Sequence, residues 1–291
     1  MAMGASNRFN RILLATDGSE QAQAAVAATI AFASPSATVK VVHVWNLAVR
    51  HRHGTWDIEV RSEAETLVDA TVARILVAGL IAQREICRAD NDHIAAAIAV
   101  SAKEFKADLL VVGSRGLSDW QSMTQHSVSH QLLCAVDCPI LIVRAPVQAE
   151  KDRGRRIVLA IAGGGDMAPG VKAAVAAATK PGSIVMVVHV AQALFGAQGF
   201  AYVESDEEIE ATMARALQLL EDAGVETQAM VARAGPVARV VAEIAEGWEA
   251  DLIVSGSSRM GDLGSIFLGS VSHDLLRATE RPVLIAERAG A

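Results

Sequence analysis

The chain has 291 residues, more than half of them hydrophobic but few aromatic, and a net charge of −7. That length accommodates about two domains, each large enough to bury its own core. The acidic balance excludes nonspecific nucleic-acid binding, which needs a basic surface to displace counterions, and no uninterrupted apolar run is long enough for a membrane-spanning helix.

Short β-branched apolar runs alternate with longer segments of helical period. The first half reads as strand 11–16, helix 19–33, strand 38–45, helix 61–79, strand 82–88, helix 92–105, strand 108–113, helix 127–136 and strand 139–144. Residues 46–60 between the second strand and its helix read as a loop. A polar, charged stretch over 146–155, with Gln148, Glu150, Lys151, Asp152, Arg153 and Gly154, reads as a linker between domains 1–147 and 155–291. The second half repeats the pattern: strand 156–162, helix 167–179, strand 183–190, helix 205–224, strand 226–232, helix 236–247, strand 251–256, helix 270–279 and strand 282–287. Strand–helix alternation predicts an α/β fold of two tandem doubly wound domains, each a parallel sheet with helices on both faces.

The two halves are copies. Asp108-Leu-Leu-Val-Val-Gly113 aligns with Asp251-Leu-Ile-Val-Ser-Gly256, and the alignment extends without gaps. Ser127-Val-Ser-His130 meets Ser270-Val-Ser-His273, and Cys138-Pro-Ile-Leu-Ile142 meets Arg281-Pro-Val-Leu-Ile285. Arg11-Ile-Leu-Leu-Ala15 pairs with Arg156-Ile-Val-Leu-Ala160, and Val41-Val-His-Val44 with Val187-Val-His-Val190. Such self-similarity marks an internal duplication.

In an open parallel sheet a ligand crevice lies at the carboxyl ends of the strands, where chain order reverses. After strand one comes Thr16-Asp17-Gly18-Ser19; after strand four comes Gly113-Ser-Arg-Gly116, then nine residues, then His126-Ser127 at a helix start. Glycines permit close backbone approach to phosphate, and a helix start attracts anions. A carboxylate after strand one suits ribose hydroxyls or an adenine amino group. These parts suit a nucleotide without a Walker lysine.

The combination resembles the universal stress protein family: Leu14-Ala-Thr-Asp-Gly-Ser19, Gly113-Ser-Arg-Gly116, Ser127-Val-Ser129 and Asp137-Cys-Pro139 match its pattern, twice over nearly the whole chain. The resemblance implies five-stranded sheets of order 3-2-1-4-5. It also implies a tandem pseudo-dimer packed through the fifth strands and open to further dimerisation, with ATP or AMP as ligand. Asp17, Gly113, Gly116, His126 and Ser127 form the implied site of the first half; Gly256, Arg259, Gly269 and Ser270 form that of the second. The copies depart from the pattern differently. His126 stands where the family has a third glycine, and either obstructs the phosphate path or contacts it. In the second half Ala162 replaces the strand-one Asp and Arg259 the second glycine.

Plainer readings stand beside these. Asp17-x-x-Glu20 fits a capping box, Asp166 an N-cap, and Ser127 and Ser270 ordinary caps. His43 and His189 read as satisfied core residues, His130 and His273 as packing, and His51, His53 and Asp57 as loop residues. Cys87, Cys134 and Cys138, odd in number, read as reduced thiols rather than a disulfide framework. Together with a start at Met1–Asn10 that lacks an apolar leader, they suggest a cytoplasmic protein. No metal site, nucleophile elbow or Walker lysine stands out, so the expectation is a regulator in stress response rather than an enzyme, with a slow ATPase as the catalytic alternative. Closure of 114–126 and 257–269 over phosphate would alter the surface offered to a regulatory protein partner. A nucleotide-free interaction scaffold is the rival reading.

Overall fold

The computed structural model describes residues 8–46, 49–51, 54–56, 61–90, 93–114, 128–145, 153–196, 199–233, 235–256 and 270–286. Phe9–Val147 packs as one compact unit, and Gln148–Ala291 belongs to another.

In the first unit the elements are β1 (Arg11–Ala15), α1 (Glu20–Phe32), β2 (Thr38–Asn46), β3 (Val49–His51), β4 (Gly54–Trp56), α2 (Arg61–Val77), β5 (Ile81–Ala89), α3 (Ile94–Phe105), β6 (Leu109–Gly113), α4 (Val128–Ala135) and β7 (Ile140–Val143). Its parallel sheet runs β5-β2-β1-β6-β7. The second unit holds β8 (Arg156–Ile161), α5 (Ala168–Ala177), β9 (Ile184–Ala191), β10 (Ala193–Gly196), β11 (Gly199–Tyr202), α6 (Asp206–Asp222), β12 (Glu226–Arg233), α7 (Val237–Gly247), β13 (Leu252–Ser255), α8 (Ser270–Ala278) and β14 (Val283–Ile285). Its order is β12-β9-β8-β13-β14, again parallel. Both sheets have the expected 3-2-1-4-5 order.

Burial explains the pattern of each strand. Ile12, Leu13 and Leu14 of β1 and Leu109, Leu110 and Val111 of β6 are fully buried, because helices cover both sheet faces. The outer strands β5 and β12 carry Gln83 and Arg84, and Glu226 and Gln228, where a sheet edge meets water. In the first unit that strand also holds Glu85, which bonds Lys40 Nζ at 2.8 Å and Ser101 Oγ at 2.7 Å. Burial and the adjoining Glu85 carboxylate push the Cys87 thiol up to about 12, so it remains protonated and unreactive at neutral pH.

The amino ends of the strands are fastened by the matching aspartate in the two copies. Asp108 accepts from the backbone N–H groups of Asn10 at 2.8 Å and Arg11 at 3.0 Å. Asp251 accepts from Arg156 N and from Arg153 Nη1, both at 2.9 Å. Arg11 reaches the Phe105 carbonyl and stacks 4.5 Å over its ring; Arg156 reaches the Trp248 carbonyl and lies 5.7 Å over that ring. Beyond α3 and α7, Lys106 (φ 52°) and Glu249 (φ 53°) turn the chain through the left-handed region. The repeat seen in the sequence is therefore a repeat of contacts.

Two antiparallel hairpins, β3–β4 and β10–β11, stand where a loop was expected. His51 is in β3 rather than in a loop, while His53 and Asp57 lie outside the described residues. The hairpins lack the alternating apolar pattern that makes a strand legible, and they form two-stranded sheets of their own.

Candidate functional site

In the first unit β1 lies between β2 and β6, so chain order reverses at the carboxyl ends of β1 and β6. Past β1, Thr16 stays buried and its N–H donates to Val42 at 3.0 Å; Gly18 turns at φ 77°. Asp17 is exposed at this end. Its Oδ1 accepts from Ser19 N at 3.0 Å and from Ser19 Oγ at 2.6 Å. Ser19 Oγ in turn accepts from Ala22 N at 3.2 Å. The cap of α1 is thus Ser19, and the expected capping box on Asp17 is corrected: Asp17 orients the cap instead of forming it. Among the described residues Asp17 Oδ2 has no protein partner, so this carboxylate keeps an oxygen for a ligand.

Gly113 closes β6, with its partner Val143 on β7. A Cβ there would come within 2.6 Å of the Gln21 carbonyl and 2.7 Å of Ala22 N. Its missing side chain lets the first turn of α1 lie directly against the strand end, bringing Asp17 and Gly113 to one crevice. The ladder continues one step further, with Ser114 N donating to Val143 O at 2.9 Å.

The second unit builds the same corner from other parts. Gly256 is exposed, and a Cβ on it would meet no atom of the described residues within 4 Å. A serine pair replaces the tight packing: Ser255 Oγ and Ser272 Oγ are 3.0 Å apart and buried, and Ser272 Oγ donates to the Gly256 carbonyl at 3.2 Å. This fastens the first turn of α8 to the end of β13, where the first unit has Val112. The helix itself begins at Ser270. After β8 the chain takes more residues to enter its helix; Met167, not Asp166, occupies the cap position of α5, although Asp166 Oδ1 accepts from Ala168 N at 3.0 Å.

The matched histidines also differ. His43 Nδ1 lies 2.7 Å from the Thr16 carbonyl oxygen. His189, just 1% exposed, pairs through Nε2 with Glu204 Oε2 at 2.9 Å, and its Nδ1 finds no partner among the described residues. The expectation of a fully satisfied core histidine therefore fails for His189. Glu204 was not anticipated as a site residue. The available signal was Ser205-Asp-Glu-Glu208, the capping box that starts α6 and places Glu204 just outside the helix.

Gly116, His126, Ser127, Arg259 and Gly269 lie outside the described residues. Among the described residues no group of three or more His, Cys, Asp or Glu is placed to hold a metal ion, and no helix is long and apolar enough to cross a membrane.

Comparison with known proteins agrees with this architecture. The model of the universal stress protein family matches residues 8–144 and again 154–287. The universal stress protein YxiE of Bacillus subtilis is 30% identical over 150 residues, which is 47% of this chain and 99% of that protein. A universal stress protein from Archaeoglobus fulgidus superposes with a TM-score of 0.74 at 20% identity, covering 98% of this chain and 100% of its own. A protein of unknown function from Pseudomonas aeruginosa PAO1 gives a TM-score of 0.62 at 15% identity, covering 97% and 94%. Both halves carry the family's pattern and both fold as its sheet, so the chain is a tandem member of the universal stress protein family.

Proposed function

We propose that the chain binds an adenine nucleotide, ATP or AMP, in the crevice at the carboxyl ends of β1 and β6, and acts as a regulator in stress response. The observation that carries this reading is the exposed Asp17 carboxylate. Ser19 fixes it through Oδ1, its Oδ2 has no protein partner among the described residues, and Gly113 draws α1 against β6 beside it. A fixed acceptor at a switch point suits the hydroxyl and amino donors of a nucleoside. Segments 114–126 and 257–269 would close over phosphate and change the surface shown to a protein partner. Because His126 stands where the family has glycine, the first site is expected to prefer AMP over ATP.

The test is direct. Denaturing the purified protein should release an adenine nucleotide identifiable by chromatography, and calorimetry of the emptied protein should show AMP binding that Asp17→Ala weakens. No released nucleotide and no heat with AMP or ATP would leave the rival reading, a nucleotide-free interaction scaffold.

A further inference from the structure

The two loops that leave the first strand of each sheet are built around a glycine covered by a different neighbour. In the first unit a Cβ on Gly18 would strike the Leu67 side chain of α2 at 2.2 Å. Apolar cover lies over that loop, and its carboxylate comes from the loop itself, Asp17. In the second unit the aligned pair is Ala162-Gly163, so the loop brings no carboxylate. There a Cβ on Gly163 would strike Glu204 Oε1 at 1.7 Å. Loop and cover have exchanged roles: the apolar group now comes from the loop and the carboxylate from the segment above it.

Three observations hold Glu204 in that place. The β10–β11 hairpin is closed at its base by Val203 N donating to Gln192 O at 2.9 Å, which returns the chain to the end of β9. Ser205 then caps α6 through the reciprocal bonds with Glu208, fixing the residue that follows Glu204. The carboxylate itself is gripped by His189, whose buried ring has no other polar tie, since Nδ1 is unpartnered. Leaving a buried ring nitrogen unpaired is costly, so this histidine is poorly explained as packing alone. Nε2–H donates to Oε2, which leaves Oε1 directed over Gly163; the Glu204 side chain is 21% exposed and so reachable from solvent.

We infer that Glu204 supplies to the second unit's crevice the carboxylate that Ala162 lacks, and that it accepts from the ribose hydroxyls of a nucleoside or nucleotide. His189 is a positioning residue that orients it. This inference rests on the nucleotide-binding reading above.

The experiment uses full-length protein titrated calorimetrically with AMP and with 2′,3′-dideoxy-AMP. Asp17→Ala weakens the first site, so that the tighter binding event that remains reports the second. In that background AMP should bind at least about tenfold more tightly than the dideoxy analogue, the lower end of what hydrogen bonds to a charged group contribute. Glu204→Gln, which preserves shape and one acceptor, should weaken AMP about tenfold and abolish the difference between the two ligands. His189→Gln should reduce that difference without a matching loss in melting temperature. If Glu204→Gln leaves AMP affinity and the analogue preference unchanged, or tightens AMP because the carboxylate was plugging the crevice, the inference is overturned while Asp17-dependent binding stands. If wild-type protein binds no AMP at all, the nucleotide-binding reading falls and this inference with it.

Discussion

The two crevices descend from one cassette, yet they are held together by different physics. In the first, α1 is pressed on β6 by the absence of a side chain at Gly113, and the corner is packed backbone to backbone. In the second, none of the described residues packs on Gly256, and the corner is fastened by the Ser255–Ser272 hydroxyl pair and a longer entry into α5. A glycine kept at the same place in both copies is therefore not kept for the same reason. Sequence identity within a duplication reports common origin; only the neighbours report function.

This difference makes unequal predictions for equal substitutions. Gly113→Ala should destabilise the protein by about 2–3 kcal/mol, the scale of overpacking against backbone that cannot give way. Gly256→Ala should change stability by less than about 0.5 kcal/mol, as at an open surface position. Urea denaturation of the two variants measures both, and equal costs would break the comparison.

The next effect is on ligand rather than stability. Asp17→Ala should weaken AMP by about 1.5–3 kcal/mol, as expected for a hydrogen bond to a charged group. Its melting temperature should fall only slightly, because Ser19 still caps α1. Unchanged affinity with a clear drop in melting temperature would reduce Asp17 to a support for that cap. Smaller again is Ser272→Ala, which leaves the buried Ser255 hydroxyl only its long 3.4 Å bond to the Gly256 carbonyl and should cost about 1–2 kcal/mol. Ser129→Ala should cost under about 0.5 kcal/mol, because the residue aligned with Ser255 is Val112, which has no hydroxyl to lose a partner.

The smallest effect separates the outer strands. Burial raises the Glu85 carboxyl, but hydrogen bonds from Lys40, Ser101 and Cys87, together with the Lys40 charge, outweigh it and hold the group below its ordinary value of 4.5. A carboxyl depressed in the folded state contributes stability above its unfolded value, and that contribution is lost as pH falls through the folded value. Wild type should therefore exceed Glu85→Gln in stability at neutral pH, and the gap should close below pH 4.5. The aligned residue of the second unit is Met230, 39% exposed, which cannot contribute such a limb. A gap that persists unchanged into acid would show that the ion pair is not its source.

The sequence by itself determined the duplication, the alternation of strands and helices, the sheet order implied by the family's pattern, and the place of Asp17 just after the first strand. These are legible because they depend on local periodicity and on residues that stand next to one another in the chain. Tertiary structure decided what covers each loop. That Ser19 rather than Asp17 caps α1 depends on which oxygen the turn presents to Ala22. That Gly113 makes room for a helix depends on backbone distant from it in sequence. Glu204 reaches Gly163 only because a hairpin with no legible strand pattern folds back to the end of β9, and His189 meets it there because parallel strands bring their carboxyl ends to one side. Contacts of that kind are set by where the chain returns in space, and the spacing of residues along it carries no mark of them.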